Sequence, residues 1–339
     1  MTTLAEFQQQ MLPAIDQAMQ AVVDRSRSKG CTELHAMLAY HLGWRGEGAG
    51  PSAQGKRVRP LLVLLATEAA GGEWHRAVPA AAAVELLHNF SLIHDDIEDR
   101  GETRRGRPTL WTQWGTPLAL NSGDALFALA NIAMLELHPP HSAETTLIAS
   151  RLLLQTALRL TQGQHLDLAY ESRAQITVDD YWRMVEGKTA ALLAASTELG
   201  AILADAPETT RRAYHEFGRM LGLAFQAWDD YLGIWGDAAL TGKSTTGDLM
   251  ERKKTLPVVY ALTQNGAFAR RWQAGEPRTP ADVPALAQAL EADGAKAYTQ
   301  AVATSLTTQA LEALEEAQPR GDAGEALRTL AKRLLHRQN

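Results

Sequence analysis

At 339 residues, 45% of them hydrophobic, the chain is long enough to bury one large core or two smaller ones. A net charge of −6 leaves no general basic field for nucleic acid or an anionic membrane, so a polyanionic substrate would need local cations or bound metal. The single cysteine, Cys31, excludes an intramolecular disulfide framework and fits a reducing, cytoplasmic setting.

Residues 1–10 mix acidic and polar side chains and lack the basic-then-apolar order of a secretory leader. Ala, Leu, Glu, Gln and Arg dominate the chain, β-branched runs are scarce and apolar residues recur three and four apart, which predicts an all-α fold. Gly46 to Gly55, with Gly48, Gly50 and Pro51, is expected to be a loop. It runs into Lys56-Arg57-Val58-Arg59-Pro60, three cations in four residues. Pro60 to Ala66 and Val78 to Leu87 read as buried helix, and no apolar stretch is expected to span a bilayer. Gly71-Gly72 ends a helix. Asn89-Phe90-Ser91 matches a glycosylation acceptor, by coincidence for a cytoplasmic helix.

The apolar helix Ala80 to Ile93 ends on Asp95-Asp96-Ile97-Glu98-Asp99. Asp95 and Asp99 are one turn apart on one helix face, with His88 two turns earlier on nearly the same face. Acidic runs are usually solvated helix ends. Carboxylates paired directly after a buried helix would instead repel unless cations neutralise them, and such oxygen ligands suit Mg²⁺ shared with substrate phosphates. Arg104-Arg105-Gly106-Arg107-Pro108 follows in the breaker segment Gly101 to Pro108, and guanidinium groups grip phosphate oxygens in pairs.

Further along, Leu152, Leu153, Ala157 and Leu160 share a helix face. Lys188-Thr189 is expected to start an apolar helix carrying Leu192, Leu193, Leu199 and Leu203, where free backbone N–H groups could help hold an anion. A helix from Met220 leads through Phe225-Gln226 to Asp229-Asp230 at its end. A polar, glycine-rich connection, Gly233 to Thr246, then carries Lys243, and Arg252-Lys253-Lys254 follow. Acids followed by cations repeat the chemistry of the first site. Gly275 to Pro284 reads as a surface linker before an Ala-rich tail of further helices. There is no repeat and no second domain, so residues 1–339 are expected to form one domain.

At these residues the sequence resembles the trans-isoprenyl diphosphate synthases, the polyprenyl synthetase family. The family's DDxxD motif is matched by Asp95, Asp96 and Asp99, flanked by Glu85-Leu86-Leu87-His88 and by Arg104 to Thr109. Its GKRxRP element is matched by Gly55 to Pro60, its GQxxD element by Gly163, Gln164 and Asp167, and its KT pair by Lys188-Thr189. Phe225-Gln226, Asp229-Asp230, Lys243 and Gly247-Asp248-Leu249 follow in the family's order, so the motifs occupy about 55–257, with 275–339 variable.

The resemblance implies a single helical bundle of the isoprenoid synthase type with a central active-site cavity, working as a homodimer. It implies a prenyltransferase joining isopentenyl diphosphate to an allylic diphosphate (dimethylallyl, geranyl or farnesyl). Lys56, Arg59, His88 and Arg105 would bind isopentenyl diphosphate, and Arg104, Lys188, Lys243 and Lys253 the allylic diphosphate. Asp95 and Asp99 would hold two Mg²⁺ ions and Asp229 a third. Thr189, the Gln226 amide oxygen and the backbone near Lys188 would stabilise the allylic cation. Phe90, with Ser91 and Leu87, would set product length, and an aromatic residue at 90 resembles short-chain enzymes. Geranylgeranyl diphosphate is the expected product, with farnesyl diphosphate as the alternative.

One departure stands out. The second motif reads Asp229-Asp230-Tyr231-Leu232-Gly233, and its next acid is Asp237. A terpene cyclase or a non-catalytic subunit on the same fold therefore remains open. Retention of Lys56, Arg59, His88 and Arg105 argues against the first, and the intact first motif against the second.

Overall fold

The computed structural model describes residues 2–236 and 247–335. Two compact units divide the chain: Met1–Ala157, Ala195–Tyr214 and Gln318–Leu327 form the first, and Leu158–Ala194, His215–Ala317 and Arg328–Asn339 the second.

The first unit opens with α1 (Leu4–Val23), started by a Thr3–Glu6 capping box. Its buried residues Leu4, Phe7, Met11, Ile15, Met19 and Val22 recur at helical spacing. α2 (Thr32–His41), α3 (Pro51–Gln54), α4 (Val58–Ala69) and α5 (Val78–Glu98) follow. Ala80 to Leu87 of α5 are all buried, because the helix packs on α1, α4 and α7 (Thr116–Leu135). Small residues permit close packing here: a Cβ on Gly200 of α10 (Ala191–Leu203) would lie 2.5 Å from Ala66 Cβ. Between α5 and α6 (Leu110–Trp114), β1 (Thr103–Arg104) and β2 (Arg107–Pro108) make a minimal antiparallel hairpin.

The second unit contains the C-terminal part of α8 (Ala143–Glu171), α9 (Val178–Val185), a π-helical turn at Glu186–Ala190, and most of α11 (Glu208–Trp235). It continues with α12 (Gly247–Met250), α13 (Leu256–Gln264), α14 (Ala267–Gln273), α15 (Val283–Ala292) and α16 (Ala295–Glu316), and α17 (Gly321–Leu335) closes the chain. Leu249, Val258, Leu262, Phe268, Trp272, Leu286 and Leu290 form an apolar cluster in this unit.

The all-α expectation holds. Four local expectations change. The Gly46–Gly55 loop contains α3, started by Pro51 at its first turn. α11 runs through Gly233 to Trp235, so Asp229 and Asp230 lie within a helix rather than at its end. The 275–284 linker includes a short 3₁₀ turn and the first residues of α15. α7 is long and apolar enough to cross a membrane by length and composition alone, contrary to the expectation that no segment is. Its Ala119, Leu126, Ala130, Ala133 and Met134 are buried in the first unit, while Leu118, Leu120, Ile132 and Leu135 are exposed.

Candidate active site

In the first unit the segment carrying the candidate residues Lys56 and Arg59 is anchored by a buried ion pair that motif reading alone does not reveal. Arg57 takes a left-handed conformation (φ 49°) at the N-cap of α4. Its Nη1 donates to Glu85 Oε1 of α5 at 2.7 Å, both side chains being almost fully buried, and its Nε lies 3.4 Å from Asp16 of α1. Three helices thus pin the segment that presents Lys56, exposed, and Arg59, half-buried. Arg59 Nη1 lies 3.2 Å from His88 Nε2. Burial, and then the nearby Arg59 charge, hold the His88 ring well below the usual histidine range. The imidazole is therefore neutral, and since arginine can only donate, Nε2 accepts and Nδ1 carries the proton.

Asp95 and Asp96 sit in the last turn of α5, and Asp99 caps it, its N–H donating to Asp95 O at 2.9 Å. Asp95 and Asp99 are thus one turn apart, as the sequence predicts. Arg104, on β1, donates from Nε to Asp96 at 2.7 Å and from Nη2 to Asp95 at 3.2 Å. Burial pushes the Asp96 carboxyl up to about 6, against the pull of Arg104. Arg105 donates to Ala53 O at 2.9 Å, and a Cβ on Gly55 (φ +80°) would meet its guanidinium at 2.6 Å. Gly55 is thus favoured by its left-handed conformation, and the Arg105 guanidinium lies over its bare Cα. Phe90 is half-buried, its ring centroid 5.3 Å from Phe127 of α7 and 4.7 Å from His94. Leu87 is fully buried, and Ser91 Oγ donates to His88 O.

In the second unit Lys188 and Thr189 lie inside continuous helix, not at a helix start. The π turn Glu186–Ala190 joins α9 to α10, so its backbone N–H groups are spent on helical bonds, and the expected anion-binding helix N-terminus is absent there. Gly163 of α8 explains why the chain can lie here: a Cβ on it would be 2.1 Å from Lys188 N, and one on Gly187 would be 2.8 Å from Gly163 Cα. Lys188 pairs with Asp167, the last residue of the GQxxD element.

Thr189 Oγ1 donates to Gln226 Oε1 at 2.9 Å, and Gln226 Nε2 donates to Asp230 Oδ1 at 2.8 Å. Asp230 is buried and also accepts from Tyr181 Oη and from the Leu256 N–H that starts α13, both at 2.7 Å. Burial pushes its carboxyl up to about 7, although these three hydrogen bonds pull it down. The second aspartate of this motif is therefore a hub that fixes the amide of Gln226. Its signal was the one-turn spacing of 226 and 230; nothing local announced Tyr181. Lys253 pairs with Glu251, whereas Lys254 donates to the Tyr170 and Glu171 carbonyls at the end of α8. Lys243 and Asp237 lie outside the described residues.

Among the described residues, no group of three or more His, Cys, Asp or Glu side chains is gathered closely enough to hold a metal unaided. A cavity of about 830 Å³ in the second unit is lined by Arg159, Gly163, His165, Glu186, Gly187 and Arg219, among others, and by none of the predicted site residues.

The polyprenyl synthetase family model matches residues 50–292. A (2E,6E)-farnesyl diphosphate synthase of Mycobacterium tuberculosis is 44% identical over 288 residues, covering 82% of this chain and 79% of that protein. A geranylgeranyl diphosphate synthase of the same organism is 43% identical over 292 residues, covering 84% and 82%. Among solved structures, a polyprenyl synthetase from Streptomyces coelicolor A3(2) superposes with a TM-score of 0.88 at 37% identity, covering 98% of this chain and 99% of that one. The fold, the family match and these relatives together define an all-α prenyltransferase. The chain belongs to the polyprenyl synthetase family, as a short-chain trans-isoprenyl diphosphate synthase.

Proposed function

We propose that the protein condenses isopentenyl diphosphate with an allylic diphosphate, in a Mg²⁺-dependent reaction, to give geranylgeranyl diphosphate. The observation that carries this reading is that Arg104 meets the Asp95 and Asp96 carboxylates in the first unit and Lys188 meets Asp167 in the second, so each unit sets a cation among carboxylates. The carboxylate donor set fits Mg²⁺: oxygen ligands in pairs leave room for the waters and phosphate oxygens this ion keeps. Asp95, Asp99 and Asp229 would hold the ions, three in all, and when bound these would stabilise the departing diphosphate as Lewis acids.

The remaining work falls to the chain's own groups. Arg59 contributes charge to the isopentenyl diphosphate, and neutral His88 contributes an Nδ1–H donor, with Lys56 and Arg105 as further cations. Arg104, Lys188, Lys243 and Lys253 serve the allylic diphosphate. Thr189 commits its proton to Gln226, so its oxygen lone pairs remain to receive positive charge. Asp230 holds the Gln226 nitrogen and thereby turns the amide oxygen towards Thr189. Both dipoles are preset before charge develops, which is how an enzyme avoids reorganisation in the transition state.

Farnesyl diphosphate is the second reading, supported by the farnesyl diphosphate synthase relative at 44% identity beside the geranylgeranyl one at 43%. Leu118, Leu120, Ile132 and Leu135 on α7 and Leu147 and Leu154 on α8 leave large apolar side chains in water, which supports a homodimer that would cover them. The lone exposed Cys31 suits a reducing cytoplasm. The test is incubation with Mg²⁺, labelled isopentenyl diphosphate and each allylic primer in turn, with chromatography of the dephosphorylated products. A twenty-carbon main product is expected. Consumption of primer without isopentenyl diphosphate would mean a cyclase, and no turnover of either would mean a silent subunit.

A further inference from the structure

Gly233 occupies the place where the second aspartate motif lacks its last acid, and nothing in its backbone calls for glycine. It lies inside α11, buried, and is not among the glycines of positive φ. A glycine in a helix interior weakens the helix, so a packing reason is required. That reason is a carboxylate. A Cβ on Gly233 would lie 2.4 Å from Asp248 Oδ2 and 3.4 Å from its Cγ. Asp248, in the first turn of α12, therefore holds its carboxylate where a side chain at 233 would begin.

Position 233 is four residues after Asp229, hence on the same face, with Cβ atoms about 5–6 Å apart. Asp95 and Asp99 have the same spacing in the first site. Asp230 cannot fill this place, because both its oxygens are taken by Gln226, Tyr181 and the Leu256 N–H. Resting on the metal-dependent reading above, we propose that Asp248 supplies the second carboxylate of the Asp229 site, towards the divalent cation and its water shell, and that Gly233 is glycine to admit it. The motif has then not lost its last acid: a different segment delivers it. A competing role for Asp248 is to place negative charge in the first turn of its own short helix, which would show in the melting temperature of Asp248→Asn and not in its Mn²⁺ binding.

The test uses the full chain with Mn²⁺ as a paramagnetic probe and inorganic diphosphate as the phosphate ligand, free and bound Mn²⁺ being counted by electron paramagnetic resonance. Asp248→Asn should weaken Mn²⁺ binding about 10- to 100-fold, the range seen when a supporting group of a metal site is removed. Asp248→Gly should do the same. Gly233→Asp alone should also fail, because its side chain would collide with Asp248. The double variant Gly233→Asp/Asp248→Gly, which restores the sequential motif, should return binding towards the wild-type value. Circular dichroism and melting temperature establish that each variant is folded. Wild-type binding by Asp248→Asn, while Asp229→Asn binds weakly, would overturn the role of Asp248 and leave the metal site standing. Wild-type binding by both would overturn the metal reading of the second site, and this inference with it. Failure of the folded double variant to regain binding would likewise refute the exchange.

Discussion

Replacing Arg57 with alanine strips the cationic partner from Glu85 while leaving that carboxylate almost fully buried. The two side chains are 4% and 3% exposed and meet at 2.7 Å, and Asp16, whose carboxyl burial already pushes up, stands 3.4 Å from the same guanidinium. Breaking a buried pair from one side typically costs about 3–5 kcal/mol, because the surviving charge is left without compensation. Asn89 Nδ2 still donates to Glu85 Oε1 at 3.1 Å, which favours the lower end of that range. In folding units of roughly 150–250 residues each kcal/mol moves Tm by roughly 2–4 °C, so Arg57→Ala should melt roughly 6–12 °C lower by circular dichroism. Arg57→Met combined with Glu85→Leu should recover most of the loss, since apolar replacements of similar volume often equal a buried ion pair. The KM for isopentenyl diphosphate should rise in Arg57→Ala, because Lys56 and Arg59 flank the released residue. A single variant melting within about 2 °C of wild type would refute the account of Arg57 as the anchor of this segment.

Asp95→Ala or Asp99→Ala should lower turnover by orders of magnitude at saturating Mg²⁺, and near-normal steady-state rates in either would sink the metal assignment. Arg59→Ala and His88→Ala should chiefly raise the KM for isopentenyl diphosphate. Thr189→Val should instead lower kcat, by about 10- to 1,000-fold if its dipole acts on developing charge; equal effects of all three on both parameters would contradict the division of roles. Phe90→Ala should lengthen the product by one or two isoprene units, read by chromatography, at a stability cost below the roughly 3–5 kcal/mol of a fully buried ring because Phe90 is half-buried. An unchanged longest product from a folded mutant would move attention to Leu87. His41, held neutral by burial with its pKa pushed down to about 3 from 6.5, should make the fold acid-sensitive. The unfolded chain binds that proton first, so stability present above pH 6.5 is lost as pH falls towards 3, at up to about 1.4 kcal/mol per unit. Denaturation midpoints of His41→Gln against pH should therefore fall less steeply than those of wild type.

The aspartate pairs, the arginine run and the Lys188–Thr189 dipeptide were legible because each is local: residues within a turn or two of one another announce themselves by spacing alone. The helices were legible for the same reason. The π turn was not, since it exists because Gly163, more than twenty residues away, lets two backbones touch. The Arg57–Glu85 pairing was hidden inside motif text that also carries the proposed substrate residues, with Asp16 outside any motif, and only burial separates an anchoring arginine from its neighbours. Gly233 looks like a helix breaker and so sets the end of α11 too early in the sequence, whereas what it meets is the Asp248 carboxylate, 2.4 Å from where its Cβ would lie. α7 escaped notice as a long apolar span because its polar residues, such as Asn121 and Asp124, interrupt the run without outweighing it.

The crossing of Gly163 under Lys188 has a consequence for how the Thr189 hydroxyl can be tuned. Where main chain rests on main chain, no rotamer intervenes between one helix and the next, and the separation is set by bond lengths and van der Waals radii. Side chains can be exchanged in small steps, a methylene at a time; a contact between peptide backbones cannot. The first atom added would lie 2.1 Å from the Lys188 nitrogen at Gly163, or 2.7 Å from the Arg159 carbonyl oxygen at Gly187, and would lever the helices apart, carrying the hydroxyl with them. This part of the fold therefore behaves as a fixed stop, and variation in the chemistry of the second unit has to come from the groups around it.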